Sequence, residues 1–217
     1  MVIKTIQNNW KLYFYLIIFN SMKRLKTLLI FLLIVSCSQE KKQILGETEY
    51  QKELNAFFKD ASTSPLKDKD RKDFEGLEFF KFDSTYIVQS ILKRTPDAQP
   101  FEMKTSTSRL PVYKVYGELD FKLKGQQFNL NIYQNVESED KDYLFLPFLD
   151  DTNGVTSYSG GRYIEISIPE GNTIQIDFNE AFNPYCAYND KYSCPIVPRA
   201  NYLPIKVKAG VKVYKKH

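Results

Sequence analysis

The run Arg162-Tyr163-Ile164-Glu165-Ile166-Ser167-Ile168, then Pro169-Glu170-Gly171-Asn172, then Thr173-Ile174-Gln175-Ile176-Asp177-Phe178, carries the strongest fold signal in this chain. Isoleucines recur at every second position on both sides of the connector, which is the period of a half-buried strand. The connector is made of residues that suit loops. The stretch therefore reads as two strands of a β-hairpin.

Similar runs lie upstream. Gln126 to Tyr133 alternates Phe128, Leu130 and Ile132 against polar residues, with Gly125 marking a turn from the run Val112 to Leu123. Leu77 to Phe82, Tyr86 to Leu92 and Phe101 to Thr105 are shorter β-rich runs with partial alternation. Ser62 to Asp73 reads as a charged connector around Pro65. From Glu47 to Asp60, Tyr50, Leu54, Phe57 and Phe58 fall on one face of an amphipathic helix that should pack as a lid on the strands after it. Many short strands, one leading helix and no helix-strand rhythm predict a mainly β fold, α+β at the margin: an antiparallel sandwich or partly open barrel with one N-terminal helix.

The N-terminal region carries an address rather than a fold. Met22-Lys23-Arg24-Leu25-Lys26-Thr27 is basic, Leu28 to Val35 is apolar, and Ile34-Val35-Ser36-Cys37 ends on a small residue before cysteine. This is the pattern of a bacterial lipoprotein export signal, with Cys37 as the lipidated residue and the membrane as partner through the lipid anchor. The apolar run is eight residues, against the roughly 20 that span a bilayer. A second apolar patch, Leu12 to Phe19, makes residues 1–21 look like an extension before a true start at Met22. Residues 22–36 then form the signal, 37–46 a tether, and 47–217 a single β-rich domain. Ser38 in place of aspartate points to the outer membrane of the cell envelope.

Removing the signal changes the charge. Of the 30 lysines and arginines, five (Lys4, Lys11, Lys23, Arg24, Lys26) precede Ser36, which leaves 25 against 26 acidic residues. The net charge of +4 for the whole chain thus belongs to the export signal. The basic face that nucleic-acid binding requires is missing, and nucleic acid is not an expected partner.

Several chemistries are excluded by residue type. The single histidine is His217 at the C-terminus, so histidine-dependent nucleophiles and multi-histidine zinc sites are not expected. No Gly-x-x-x-x-Gly-Lys-Ser/Thr or Gly-x-Gly-x-x-Gly cradle occurs. No cofactor or metal is expected, and the sequence assigns no catalytic residue.

Three blocks carry a family resemblance: Ser64-Pro65-Leu66 through Gly76-Leu77-Glu78-Phe79-Phe80; Leu144-Phe145-Leu146-Pro147-Phe148 through Gly161-Arg162-Tyr163; and Asp177-Phe178-Asn179 through Cys194-Pro195. In these the chain resembles the bacterial and archaeal family called domain of unknown function 1684, over most of residues 50–210. The resemblance implies a shared fold and a shared polar cluster. Asp150, Thr152, Gly154, Tyr158, Gly161, Arg162, Asp177, Asn179, Asn183, Cys186 and Cys194 occupy its motif positions, and Ser159 stands where the family commonly has glycine.

The candidate polar site is thus Asp150, Thr152, Tyr158, Arg162, Asp177, Asn179 and Asn183. Three readings stay open. Arg162 would clamp an anionic or sugar-like small ligand. Two of Asp150, Asp151, Glu165 and Asp177 would converge as the acid and base of a histidine-independent hydrolase. Or the polar side chains cap turns and orient loops in a structural or protein-partner-binding lipoprotein. Cys186 and Cys194 remain as a pair in an exported protein, so a disulfide is the leading reading, with free thiols and a metal site as rivals. Closing so short a loop would stabilise by roughly 2.5 kcal/mol on the chain-entropy account.

Overall fold

The computed structural model describes residues 46–214. Cys37, the signal before it, most of the tether and His217 lie outside the described residues. The structure is mostly β: an antiparallel sheet curled into a half-barrel. Its strands are β1 (Ile87–Arg94), β2 (Phe101–Glu102), β3 (Val112–Leu123), β4 (Gln126–Asn135), β5 (Tyr143–Asp150), β6 (Arg162–Ser167), β7 (Thr173–Asp177) and β8 (Tyr202–Leu203). The order is β6-β5-β4-β3-β1-β7, with β2 beside β3 and β8 parallel to β5.

The expected hairpin is corrected. β6 pairs with β5, from Phe148 opposite Arg162 to Tyr143 opposite Ser167. β7 pairs with β1, from Ile87 opposite Asp177 to Ile91 opposite Thr173. The two runs are the two edges of the sheet, and Pro169 to Asn172 bridges the open seam between them. Alternation reports which face of a strand is buried, not which strand lies beside it. Part of the free edge of β6 is occupied by the segment just after β7, since Tyr163 and Phe182 exchange both backbone hydrogen bonds at 2.9 and 3.0 Å.

The inner face of the curl is the main core. It takes Leu92 from β1, Leu119, Phe121 and Leu123 from β3, and Leu130 and Ile132 from β4. Leu144, Leu146 and Phe148 come from β5, Ile164 from β6, and Ile174 and Ile176 from β7. β5 is buried on both faces, and its outward Phe145 joins Met103, Tyr113, Tyr133, Tyr163 and Val197 in a second cluster. With aliphatic and aromatic side chains filling it, the barrel interior is core rather than a ligand cavity.

The helix α1 (Glu49–Lys59) begins at Thr48, whose side-chain oxygen accepts the Gln51 amide proton at 3.2 Å. Phe58 is buried against Leu66, Phe74, Leu77 and Tyr188. Its packed face also carries two amides: Gln51 accepts from the Glu47 N–H at 2.8 Å and Asn55 from the Leu77 N–H at 2.7 Å. The charged connector contains a short helix, α2 (Asp68–Lys72), which the sequence reading does not anticipate. The expected strand at 77–82 reduces to one bridge, Phe79 opposite Val211. No helix among the described residues is long and apolar enough to cross a membrane.

The segment 205–213 closes one end of the curl. Val207, Ala209 and Val211 are buried while Lys206 and Lys208 face water. The Asp151 amide reaches the Ile205 carbonyl at 3.0 Å, Phe80 reaches Gly210 at 2.9 Å, and Val211 reaches Ala181 at 2.8 Å. Gly210 has φ +76°, and a Cβ there would fall 2.9 Å from both the Ala181 Cβ and the Phe178 carbonyl oxygen. Gly210→Ala should therefore lower unfolding free energy by at least about 2 kcal/mol in a denaturant titration. Gly171→Ala, where a Cβ meets nothing within 4 Å, should stay within about 0.5 kcal/mol of the parent.

Candidate functional site

β5 ends and β6 begins on the inner face, which brings Asp150 and Arg162 together. Both side chains are fully buried, and Arg162 Nη2 donates to Asp150 Oδ2 at 2.6 Å. The same nitrogen donates to the Val207 carbonyl at 2.8 Å, and Nη1 donates to the Ala209 carbonyl. Asp150 Oδ1 accepts the amide protons of Thr152 at 2.6 Å and Val207 at 3.4 Å. The guanidinium centre lies 5.1 Å from the Phe148 ring and 5.7 Å from that of Phe80. Burial pulls the Arg162 pKa down, and the Asp150 carboxylate opposes that pull. Nε is left without a partner.

The loop after Asp150 is held by its own side chains. Asn153 Oδ1 accepts the Asp150 amide proton at 2.7 Å, and its Nδ2 donates to Ser157 Oγ at 2.9 Å and to the Tyr158 carbonyl at 3.0 Å. Thr152 Oγ1 and Ser157 Oγ share a hydrogen bond at 2.7 Å. Gly161, at φ +89°, lies so close to the sheet that a Cβ would sit 2.7 Å from the Phe148 carbonyl oxygen. The loop can return to β6 only with glycine there.

The other sequence candidates fall elsewhere. Asp177 Oδ1 accepts from the Asn179 amide and from Asn179 Nδ2, both at 2.8 Å. Asn179 also bonds the Asp83 backbone through both N–H and carbonyl at 3.1 Å. Asp83 is itself held down to about 2 by hydrogen bonds from Thr85 and Lys124. Asn183 Nδ2 donates to the Tyr188 hydroxyl at 3.2 Å and to the Lys212 carbonyl at 2.9 Å. The four acids of the hydrolase reading have four different partners: Asp150 has Arg162, Asp151 has the Tyr202 hydroxyl, Glu165 has the Tyr143 hydroxyl at 3.3 Å, and Asp177 has Asn179.

Tyr158 belongs instead with the cysteines. Cys186 and Cys194 are free thiols in this structure, Cys186 half-buried and Cys194 buried. The Cys186 amide proton points at Cys194 Sγ, 3.0 Å from nitrogen to sulfur. The polar groups of Cys194, Ser106 and Tyr158 favour the charged form of the Cys186 thiol. These outweigh burial and bring its pKa down to about 6, while the Cys194 thiol is pushed up by its bond to Cys186 and by burial. Ser106 is the member the sequence reading missed. It sits 88 positions from Cys194, whose amide proton its hydroxyl accepts at 3.1 Å. An exposed serine in a Ser/Thr-rich loop gives no local signal of such a contact. Among the described residues, no group of three or more acids, cysteines or histidines is arranged to hold a metal ion.

A curled antiparallel half-barrel with a sealed polar brace at one end and a dithiol at its flank defines the class of protein. A family described as "Protein of unknown function (DUF1684)" matches residues 72–212, and the chain belongs to that family. It is similar to the solution NMR structure of an uncharacterized protein of Haloarcula marismortui, with 34% identity over 77% of this chain and 92% of that one, at a TM-score of 0.62. No curated protein matches the chain.

The brace makes a quantitative prediction. Arg162→Met should destabilise by about 3–5 kcal/mol, because it strands a buried carboxylate and two carbonyls. Asp150→Leu combined with Arg162→Met should cost clearly less than the sum of the two single changes. Urea unfolding of the three variants measures the coupling.

Proposed function

We propose that the chain is a lipoprotein of the cell envelope, outer membrane included, anchored through Cys37, whose domain serves as a structural or partner-binding module. Support for the anchor is the Met22–Cys37 pattern of basic, apolar and small residues before cysteine. For the domain, the carrying observation is that Arg162 and Asp150 are sealed from water with their charges spent on each other and on the backbone of residues 152 and 207–209. An arginine that clamps an anionic ligand needs donors facing a cavity; these two Arg162 nitrogens face carbonyls and a carboxylate. The four acids with four separate partners weigh against a paired acid and base.

Cys37→Ala should move the protein from the membrane fraction to the soluble fraction of lysed cells, while the folded domain keeps its unfolding midpoint. Persistence in the membrane fraction would point to an uncleaved anchor rather than lipid.

A further inference from the structure

We propose that Cys186 and Cys194 form a thiol–disulfide exchange site, in which Cys186 attacks an accessible disulfide and Cys194 resolves the mixed disulfide that results. The geometry separates the two roles. Cys186 sits half-buried on the turn Tyr185–Ala187, within reach of an incoming disulfide, whereas Cys194 is 7% exposed and lies behind it. Cys194 is fixed in place: its amide proton goes to Ser106 Oγ, its carbonyl accepts the Ser106 amide at 2.8 Å, and Thr105 bridges Pro195. The 3.0 Å contact from the Cys186 amide to Cys194 Sγ holds the second sulfur beside the first residue.

The surroundings favour a thiolate at Cys186. The polar side chains of Cys194, Ser106 and Tyr158 favour its charged form and bring its pKa down to about 6. The Tyr158 phenol has its pKa raised, by burial first and then by the Cys186 charge, so it stays protonated and able to donate. A sulfur so surrounded is nucleophilic at neutral pH, where an ordinary cysteine near pKa 8.5 is mostly protonated.

The chemistry balances without a further reagent. The Cys186 thiolate displaces one thiolate from a substrate R–S–S–R, forming a Cys186–S–S–R bond. Cys194 then loses its proton, attacks the Cys186 sulfur and expels the second thiolate. Two electrons pass from the dithiol to the substrate disulfide, which leaves as two thiols, and the protein keeps the Cys186–Cys194 disulfide. Reduction by a dithiol reverses the sequence.

The test uses the full chain in detergent with glutathione disulfide as probe, and peptide mapping to separate Cys186 from Cys37. Wild type should become two hydrogens lighter, and dithiothreitol should restore it without denaturant. Cys194→Ser should stop at a glutathione adduct on Cys186. Iodoacetamide labelling of Cys186 in reduced wild type should inflect near pH 6 and run about two- to threefold faster at pH 7 than in the denatured chain, because the larger thiolate fraction outweighs the lower nucleophilicity of each thiolate. Tyr158→Phe should move that inflection upward. The proposal is overturned if glutathione disulfide leaves the mass of reduced wild type unchanged. It also fails if the Cys194→Ser variant takes no adduct, or if the internal disulfide resists dithiothreitol in the folded protein as a permanent staple would. Wild-type oxidation and its reversal by dithiothreitol decide the matter even where the serine variant does not fold.

Discussion

Everything at the closed end of the half-barrel depends on one buried ion pair, Arg162 with Asp150. Moving two charges out of water costs several kcal/mol for each ion, and their mutual attraction offsets this only when the remaining donors and acceptors are also satisfied. Here nearly all of them are. Arg162 gathers the Val207 and Ala209 carbonyls as well as the carboxylate, and Asp150 gathers the Thr152 and Val207 amides. Segment 205–213 is not part of the antiparallel path, and much of its backbone would be orphaned against the core without such partners. The pair joins the end of β5, the start of β6 and that closing segment. It gives the C-terminal region a single place to dock.

The curl has its origin in the same arrangement. Strands twist, and a sheet of several twisted strands brings its edges around toward each other. A full barrel would need β6 and β7 to pair. Instead Phe182 takes the edge of β6 at Tyr163, Val207 and Ala209 join the core that a closed wall would have enclosed, and Val211 packs with Phe58 and Tyr188 beneath α1. Beside the seam, the partly buried Ile166 and Ile168 pack against the main core.

Much of this was legible in the chain. β3 spans the run Val112 to Leu123 as read, and β4 starts at Gln126 as read and extends to Asn135, because a period of two survives wherever one face is buried. Pairing was not legible: two neighbouring runs with the same phase look like a hairpin whether they bond each other or opposite ends of a curled sheet. The brace was legible in phase. Arg162 keeps step with Ile164, and Asp150 with Leu144, Leu146 and Phe148, so both charges were written into the inner face. A charged residue in phase with a core strand has to meet an opposite charge there. Asp177 and Asn179, by contrast, are caps of a turn at a strand end, as their residue types allow. Ser106 could not be found from the sequence, since its place beside Cys194 is a product of the tertiary fold.

The brace and the dithiol are also physically continuous. From Arg162 the hydrogen bonds run through Asp150 to Thr152, across to Ser157, and through Asn153 to the Tyr158 carbonyl. The Tyr158 side chain in turn favours the charged form of Cys186. The loop between β5 and β6 is thus one rigid arch with a sealed foot and an accessible one. The sealed foot suits charges, because water would weaken their attraction. The accessible foot suits a thiol, because exchange requires that another sulfur approach it in line. A side chain that donates to a thiolate is useful only if it does not wander, and the phenol of Tyr158 has its backbone fixed by a network that ends in the core. Asp150, Thr152, Tyr158 and Arg162 are therefore better understood as one support that starts in the core, whereas Asp177, Asn179 and Asn183 fasten other segments.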